Sequence, residues 1–170
     1  EQIHLKFCKQ VLGVRTQTQN NFIYGELGRT SLKQYRLVSV IRYWIKIIHS
    51  SNLKYITHVY NLMLNDLERH PNFNSWAKNV KDMLINFGFY DVWLYGPGNS
   101  NAFLSVFKQR VKDIFVKTWN EQIDFSTRAD SYRLFSNFGF KDYLNILNIK
   151  KFRQEFTRLR VSSHRLSIET

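Results

Sequence analysis

Cysteine, proline and glycine are all scarce: one, two and seven in 170 residues. The lone Cys8 rules out an internal disulfide and any cysteine-built zinc site within this span. It stands at helical spacing with Leu5 and Leu12, where a cysteine packs as a small apolar residue. No apolar run approaches the roughly 18 residues of a membrane span. Glu1 to Lys9 is too charged for a secretory leader, so the expected setting is cytosolic or nuclear. The chain opens at Glu1 and not at Met, and reads as a piece of something longer.

Chemistry-bearing patterns are missing too. His4, His49, His58, His70 and His164 show no His-x3-His spacing and no Cys-x2-Cys pair. Asp82, Asp91, Asp113, Asp124, Asp130 and Asp142 are isolated, with no doublet to hold two magnesium ions. Arg110 and Asp113 read as an i,i+3 helix pair. Gly96-Pro97-Gly98 is no phosphate loop, because no Lys-Ser/Thr follows and proline removes an amide donor. A Gly-x-Ser-x-Gly elbow is absent. No complete active site, metal or cofactor is expected.

What is present is charge of one sign, unevenly placed. The net charge is +12, from 25 Lys and Arg against 13 Asp and Glu. From Leu27 to Asn65 there is no acidic residue, while Arg29, Lys33, Arg36, Arg42, Lys46 and Lys54 fall inside. A second block carries Lys150, Lys151, Arg153, Arg158, Arg160 and Arg165 against Glu155 alone. Both blocks are laced with apolar residues. Clustered cations of this kind release counterions from a phosphate backbone, so a polyanion is the first partner to consider. Tyr35, Tyr43 and Trp44 add planes on which bases can stack, although Trp44, Trp76 and Trp119 fall on inner faces.

The hydrophobic share of 44% supports a folded core, and its periodicity is helical almost throughout. A first helix holds Ile3, Phe7 and Val11 beside Leu5, Cys8 and Leu12, ended by Gly13. Thr18 is a plausible N-cap for Phe22 to Leu27, which Gly28 ends in a left-handed turn. The clearest helix runs from Leu32 to His49, capped by Thr30 or Ser31, with Leu37, Ile41, Trp44, Ile45 and Ile48 inward. Arg29, Lys33 and Arg36 flank that face on one side, and Arg42, Lys46 and His49 on the other. Ser51 or Asn52 opens a helix with Tyr55, Val59, Leu62, Met63 and Leu67 inward, halted by Pro71. Asn74 or Ser75 opens the next, with Trp76, Val80, Met83, Leu84 and Phe87 inward. Phe89 to Leu94 reads as a buried extended segment. Asn101 to Gln122 buries Leu104, Phe107, Val111, Ile114, Phe115 and Trp119, and Ser131 to Phe140 is helical. A last helix, Ile149 to Ser163, points Phe152, Phe156 and Leu159 inward. Its outer stripes are Arg153, Thr157, Arg160 and His164, and Lys151, Arg158 and Arg165. The class is all-α: an irregular bundle of about seven helices in two closely packed lobes, 1–95 and 96–170, divided at the Gly96–Ser100 breaker.

An ordered set of phrases adds to this reading. Tyr143-Leu144 is followed by Arg158-Leu159-Arg160-Val161-Ser162-Ser163-His164-Arg165-Leu166-Ser167-Ile168-Glu169-Thr170. Before them come Phe7-Cys8-Lys9 with Leu12-Gly13-Val14, Gly25-Glu26-Leu27-Gly28-Arg29, Tyr43-Trp44-Ile45, Trp76-Ala77 before Val80-Lys81, Gln109-Arg110-Val111-Lys112-Asp113, and Trp119. Together they cover nearly the whole chain. The set resembles the region C-terminal to the reverse transcriptase domain in non-LTR (LINE-type, invertebrate-like) retrotransposon polyproteins. The family's paired catalytic aspartates lie upstream of the matching region, and its Cys/His cluster lies beyond it. The resemblance implies a thumb-like or linker segment that helps hold RNA or an RNA–DNA duplex beside an upstream polymerase domain, in a nuclear and cytoplasmic ribonucleoprotein. It implies no catalysis by this chain and no membrane. The expected phosphate contacts are Lys33, Arg36, Arg42, Lys46, Lys150, Lys151, Arg153, Arg158, Arg160 and Arg165. The rival expectation is a structural or protein-interaction domain that packs on the polymerase without touching nucleic acid. Its mark would be basic stripes on different faces, where nucleic-acid binding would bring them into one groove.

Overall fold

The computed structural model describes residues 1–49, 54–127 and 129–163. Its order is α1 (Gln2–Leu12), α2 (Asn20–Leu27), α3 (Leu32–His49), α4 (Lys54–Arg69), α5 (Trp76–Asn86), α6 (Tyr90–Tyr95), α7 (Ser100–Asp124), α8 (Asp130–Arg133), α9 (Tyr143–Ile146) and α10 (Lys150–Arg160). The fold is all-α. Among the described residues extended pairing is limited to one antiparallel bridge, Leu27 with Phe140. Among the described residues there are ten helical segments where about seven were expected, because the short α6 and α9 follow turns that no long apolar period announces.

Two compact units gather these helices. The first joins Glu1–Lys33 to the described chain from Ile114 onward, and the second is Gln34–Asp113. The Gly96-Pro97-Gly98 break lies inside the second, between α6 and α7.

In the second unit Ile41, Trp44, Ile45 and Ile47 of α3 pack with Tyr60, Ala77, Val80, Leu84, Phe103, Phe107 and Val111. Trp44 donates its indole N–H to the Tyr60 hydroxyl at 2.9 Å, which satisfies a buried polar pair and fixes the rotation of α4. The expected inner face of α4 therefore holds at Met63 and Leu67 and fails at Tyr55, Val59 and Leu62. Tyr55, Val59 and Leu62 are exposed, while Tyr60 and Leu67 are buried with Met63 packed beside them. Residues 60, 63, 64 and 67 form an equally regular helical stripe, and only a neighbour can choose between two apolar faces. Ser75 caps α5 as expected, accepting from Lys78 N at 3.1 Å. The segment expected to be extended is helical instead. Phe89, Val92 and Trp93 turn inward at i, i+3 and i+4, and Phe89 meets the rings of Phe103 and Phe107 at 5.4 and 5.7 Å.

In the first unit Leu5, Cys8 and Leu12 pack with Phe22, Ile23, Tyr24, Trp119, Ile123, Ala129, Tyr132 and Val161. α1 and α2 end where expected, on Gly13 and Gly28 in left-handed conformation. Thr18 does not cap α2: Gln19 holds that position, and Thr18 is buried against Ser163, hydroxyl to hydroxyl at 3.0 Å. The helix expected over 131–140 shortens to Asp130–Arg133, because Phe140 is drawn into the bridge with Leu27. Ile114, expected inside, is exposed, and Ile123 one face further along is buried. Arg110 does not pair with Asp113; Gln109 donates to that carboxylate at 2.7 Å, and Arg110 lies over the Phe89 ring.

The bridge makes Gly28 a fixed point. Its φ is +59°, and a β-carbon there would run into the backbone at Gly139 and Phe140. Replacing Gly28 with Ala combines left-handed strain with that clash. It is expected to lower unfolding stability by about 2 kcal/mol or more, read as a shift of the urea midpoint.

Candidate nucleic-acid interface

α3 is amphipathic at a helical period of about 100° per residue. Its apolar stripe is spent on the second unit's core, which leaves Tyr35, Arg36, Ser39, Arg42, Tyr43, Lys46 and His49 exposed along the opposite side. Arg36, Arg42 and Lys46 have no ion pair or side-chain hydrogen bond among the described residues. Tyr43 is steadied by an edge contact with Trp76, 5.9 Å between centroids. Tyr35 is more exposed than Tyr43. From Tyr35 to Lys46 the face is about 16 Å long at 1.5 Å per residue. Lys33 is exposed but angularly offset from this stripe, and it belongs to the first unit.

The second basic block is arranged differently, because α10 lies the other way round from expectation. Phe152, Phe156 and Leu159, expected inside, are exposed. Arg153, Thr157 and Arg160, expected outside, face the first unit, and Thr157 is fully buried. Glu26 on α2 is the cause. It has no solvent exposure, and an isolated carboxylate cannot stay buried without cationic and hydrogen-bonding partners. Arg160 supplies them in a forked contact, with Nε at 3.1 and 3.3 Å from the two oxygens and one terminal nitrogen at 3.0 Å. Tyr143 of α9 donates to Glu26 Oε2 at 2.6 Å, and its own oxygen lies 2.8 Å from Thr157 Oγ1. The Arg160 guanidinium also lies 4.7 Å from the Phe135 ring centroid and 5.3 Å from that of Tyr143.

Of the ten cations expected to meet phosphate, the structure thus places three on one free face, Arg36, Arg42 and Lys46. Arg160 is consumed by Glu26. Arg158 donates to the Gly13 carbonyl at 2.5 Å and to Glu155 at 2.6 Å. Arg153 reaches the Leu144 carbonyl at 3.4 Å. Lys150 and Lys151 are exposed, and Arg165 lies outside the described residues. The α3 stripe belongs to the second unit and α10 to the first.

Two open clefts border the start of α2. One, of about 370 Å³, is lined by residues including Arg15, Thr18, Phe22 and Ser163. The other, of about 560 Å³, is lined by Gln19, Asn20, Asn21, Gln122, Phe125 and Ser126. Among the described residues neither lining contains an Asp, Glu, His or Cys. Among the described residues no three His, Cys, Asp or Glu side chains gather as metal ligands. None of the described helices is long and apolar enough to cross a membrane. Cys8 is buried, and burial raises its thiol pKa.

The buried network carries a pH signature. Burial pushes the Tyr143 and Tyr132 phenols up, with Glu26 adding to both. Among the described residues no hydrogen bond of proper geometry reaches the Tyr132 hydroxyl. Tyr24 is raised by burial and by its bond to Glu1. A phenol whose folded pKa exceeds the ordinary 10.0 contributes stability below pH 10 that is lost as pH rises through the folded value. Lys141, pushed down by burial, acts in the opposite sense only up to its ordinary 10.5. Urea midpoints measured upward from pH 8 should therefore fall beyond pH 10, and replacing Tyr143 with Phe should weaken that fall.

No protein-family model, curated protein or solved structure matches this chain.

Proposed function

We propose that the chain is a non-catalytic helical segment that binds RNA or primer–template duplex without sequence choice, as part of a retroelement reverse transcriptase protein. The observation that carries the binding is the outward face of α3. Three cations with no ion pair or side-chain hydrogen bond among the described residues share it with two tyrosines, on a helix within a stretch that lacks any carboxylate. Arg can clamp phosphate in a fork and lie flat on a base, Lys acts as a point charge, and tyrosine rings accept stacked bases of any identity. The membership in a retroelement protein rests on the resemblance alone.

A second reading, protein interaction, is favoured by one observation: α10 turns its apolar stripe to solvent.

Titration of the chain with labelled RNA and RNA–DNA duplex at several salt concentrations tests the first reading. Each neutralised phosphate contributes roughly −0.7 to −0.9 to the log–log salt slope. Changing Arg36, Arg42 and Lys46 together to Gln should flatten the slope by about 2 to 3, with stability within about 0.5 kcal/mol of the parent. Binding that is absent, or a slope that the triple change leaves alone, defeats the proposal.

A further inference from the structure

We propose that the outward face of α3 selects an unpaired strand of nucleic acid over duplex, with Tyr35 and Tyr43 each stacking one splayed base. This rests on the α3 reading above and narrows its ligand. Tyr35 is 57% exposed and Tyr43 45%. A tyrosine used inside the same unit looks different: Tyr60 is buried and accepts the Trp44 indole N–H. Tyr43 is steadied by Trp76 of α5, their ring centroids 5.9 Å apart and their planes at 72°. A ring fixed before its ligand arrives lowers the ordering cost of binding.

Helical geometry sets the spacing. Eight residues separate the two tyrosines, about 12 Å along the axis and about 80° around it. A duplex offers neither ring a base face along its length, because its bases cover one another about 3.4 Å apart. An unpaired strand can turn bases out of that stack and onto aromatic side chains. The phosphates have partners on the same face. Arg42 and Lys46 lie within about 20° of the direction of Tyr35, and Arg36 within about 20° of that of Tyr43. No Asp or Glu occurs from Leu27 to Asn65, and Asp82, on the helix that carries Trp76, is held by Lys78 at 2.9 Å. From Tyr35 to His49 the exposed residues are Tyr, Arg, Lys, Ser and His, with no aliphatic side chain among them. The core of a protein interface is apolar and depleted of charge, so this face suits a strand of phosphates and bases better.

The test titrates the 170-residue chain with a labelled oligouridylate, the same strand annealed to its complement, and an abasic strand of equal length. At equal salt the oligouridylate should bind about tenfold or more tighter than either of the others. Tyr35→Ala with Tyr43→Ala should remove about tenfold of that affinity while leaving duplex binding and the salt slope unchanged. Tyr35→Phe with Tyr43→Phe should hold it within about twofold, because the ring and not the hydroxyl stacks. Tyr35→Ala alone should still cost about threefold or more, so the test survives if loss of the Tyr43–Trp76 contact unsettles the fold. Strand and duplex bound equally, with a salt slope that Arg36, Arg42 and Lys46 carry, overturns this inference and leaves the phosphate reading standing. Absence of binding to either defeats both. An abasic strand bound as tightly as the oligouridylate, or tyrosine changes without effect at an unchanged urea midpoint, also overturns it.

Discussion

One buried carboxylate decides how the last helix lies. Glu26 is enclosed on α2, and the cost of an unpaired charge there is large enough to override hydrophobic patterning over three turns of α10. Arg160, Tyr143 and Thr157 are drawn in to satisfy it, and three apolar side chains are left facing water as a consequence. The same contacts connect residues far apart in sequence, Glu26 with Arg160 and Gly13 with Arg158, which ties the two ends of the chain into one unit.

Local pattern made much of the fold legible. The bounds of α3, the glycine ends of α1 and α2, the Ser75 cap and the inward Phe107, Val111 and Trp119 of α7 all follow from periodicity and cap chemistry. What failed did so where a helix offers two plausible faces. In α4 the stripe through Tyr55 and Val59 competes with that through Tyr60 and Leu67, and the Trp44 indole settles it from another helix. In α10 the amphipathic pattern is plain, but its sign depends on a carboxylate 134 residues away. Hydropathy has no means of registering such a partner. The helical turns at α6 and α9 are too short to show a period.

The candidate interface follows the same division. Arg36, Arg42 and Lys46 were legible because α3 has a single apolar face, so its cations could only be outside. Arg153, Arg158 and Arg160 are as basic in sequence, yet they hold internal carbonyls or carboxylates. A count of cations therefore overstates the surface that a polyanion would meet. The acid-free run matters more than the total charge, since it leaves α3 with no internal use for its arginines. The exposed apolar stripe on α10 was hidden from sequence for the same reason that the buried arginine was.

Glu26 and Arg160 act as a pair that orients α10. A double-mutant cycle measures it directly, with Glu26→Gln, Arg160→Met and both together followed by urea unfolding. Each single change should cost about 3 kcal/mol or more by leaving a buried partner uncompensated. The double change should cost less than the sum of the two by at least about 1 kcal/mol. Strictly additive losses, or singles that cost nothing, would mean that the two side chains do not act as a pair.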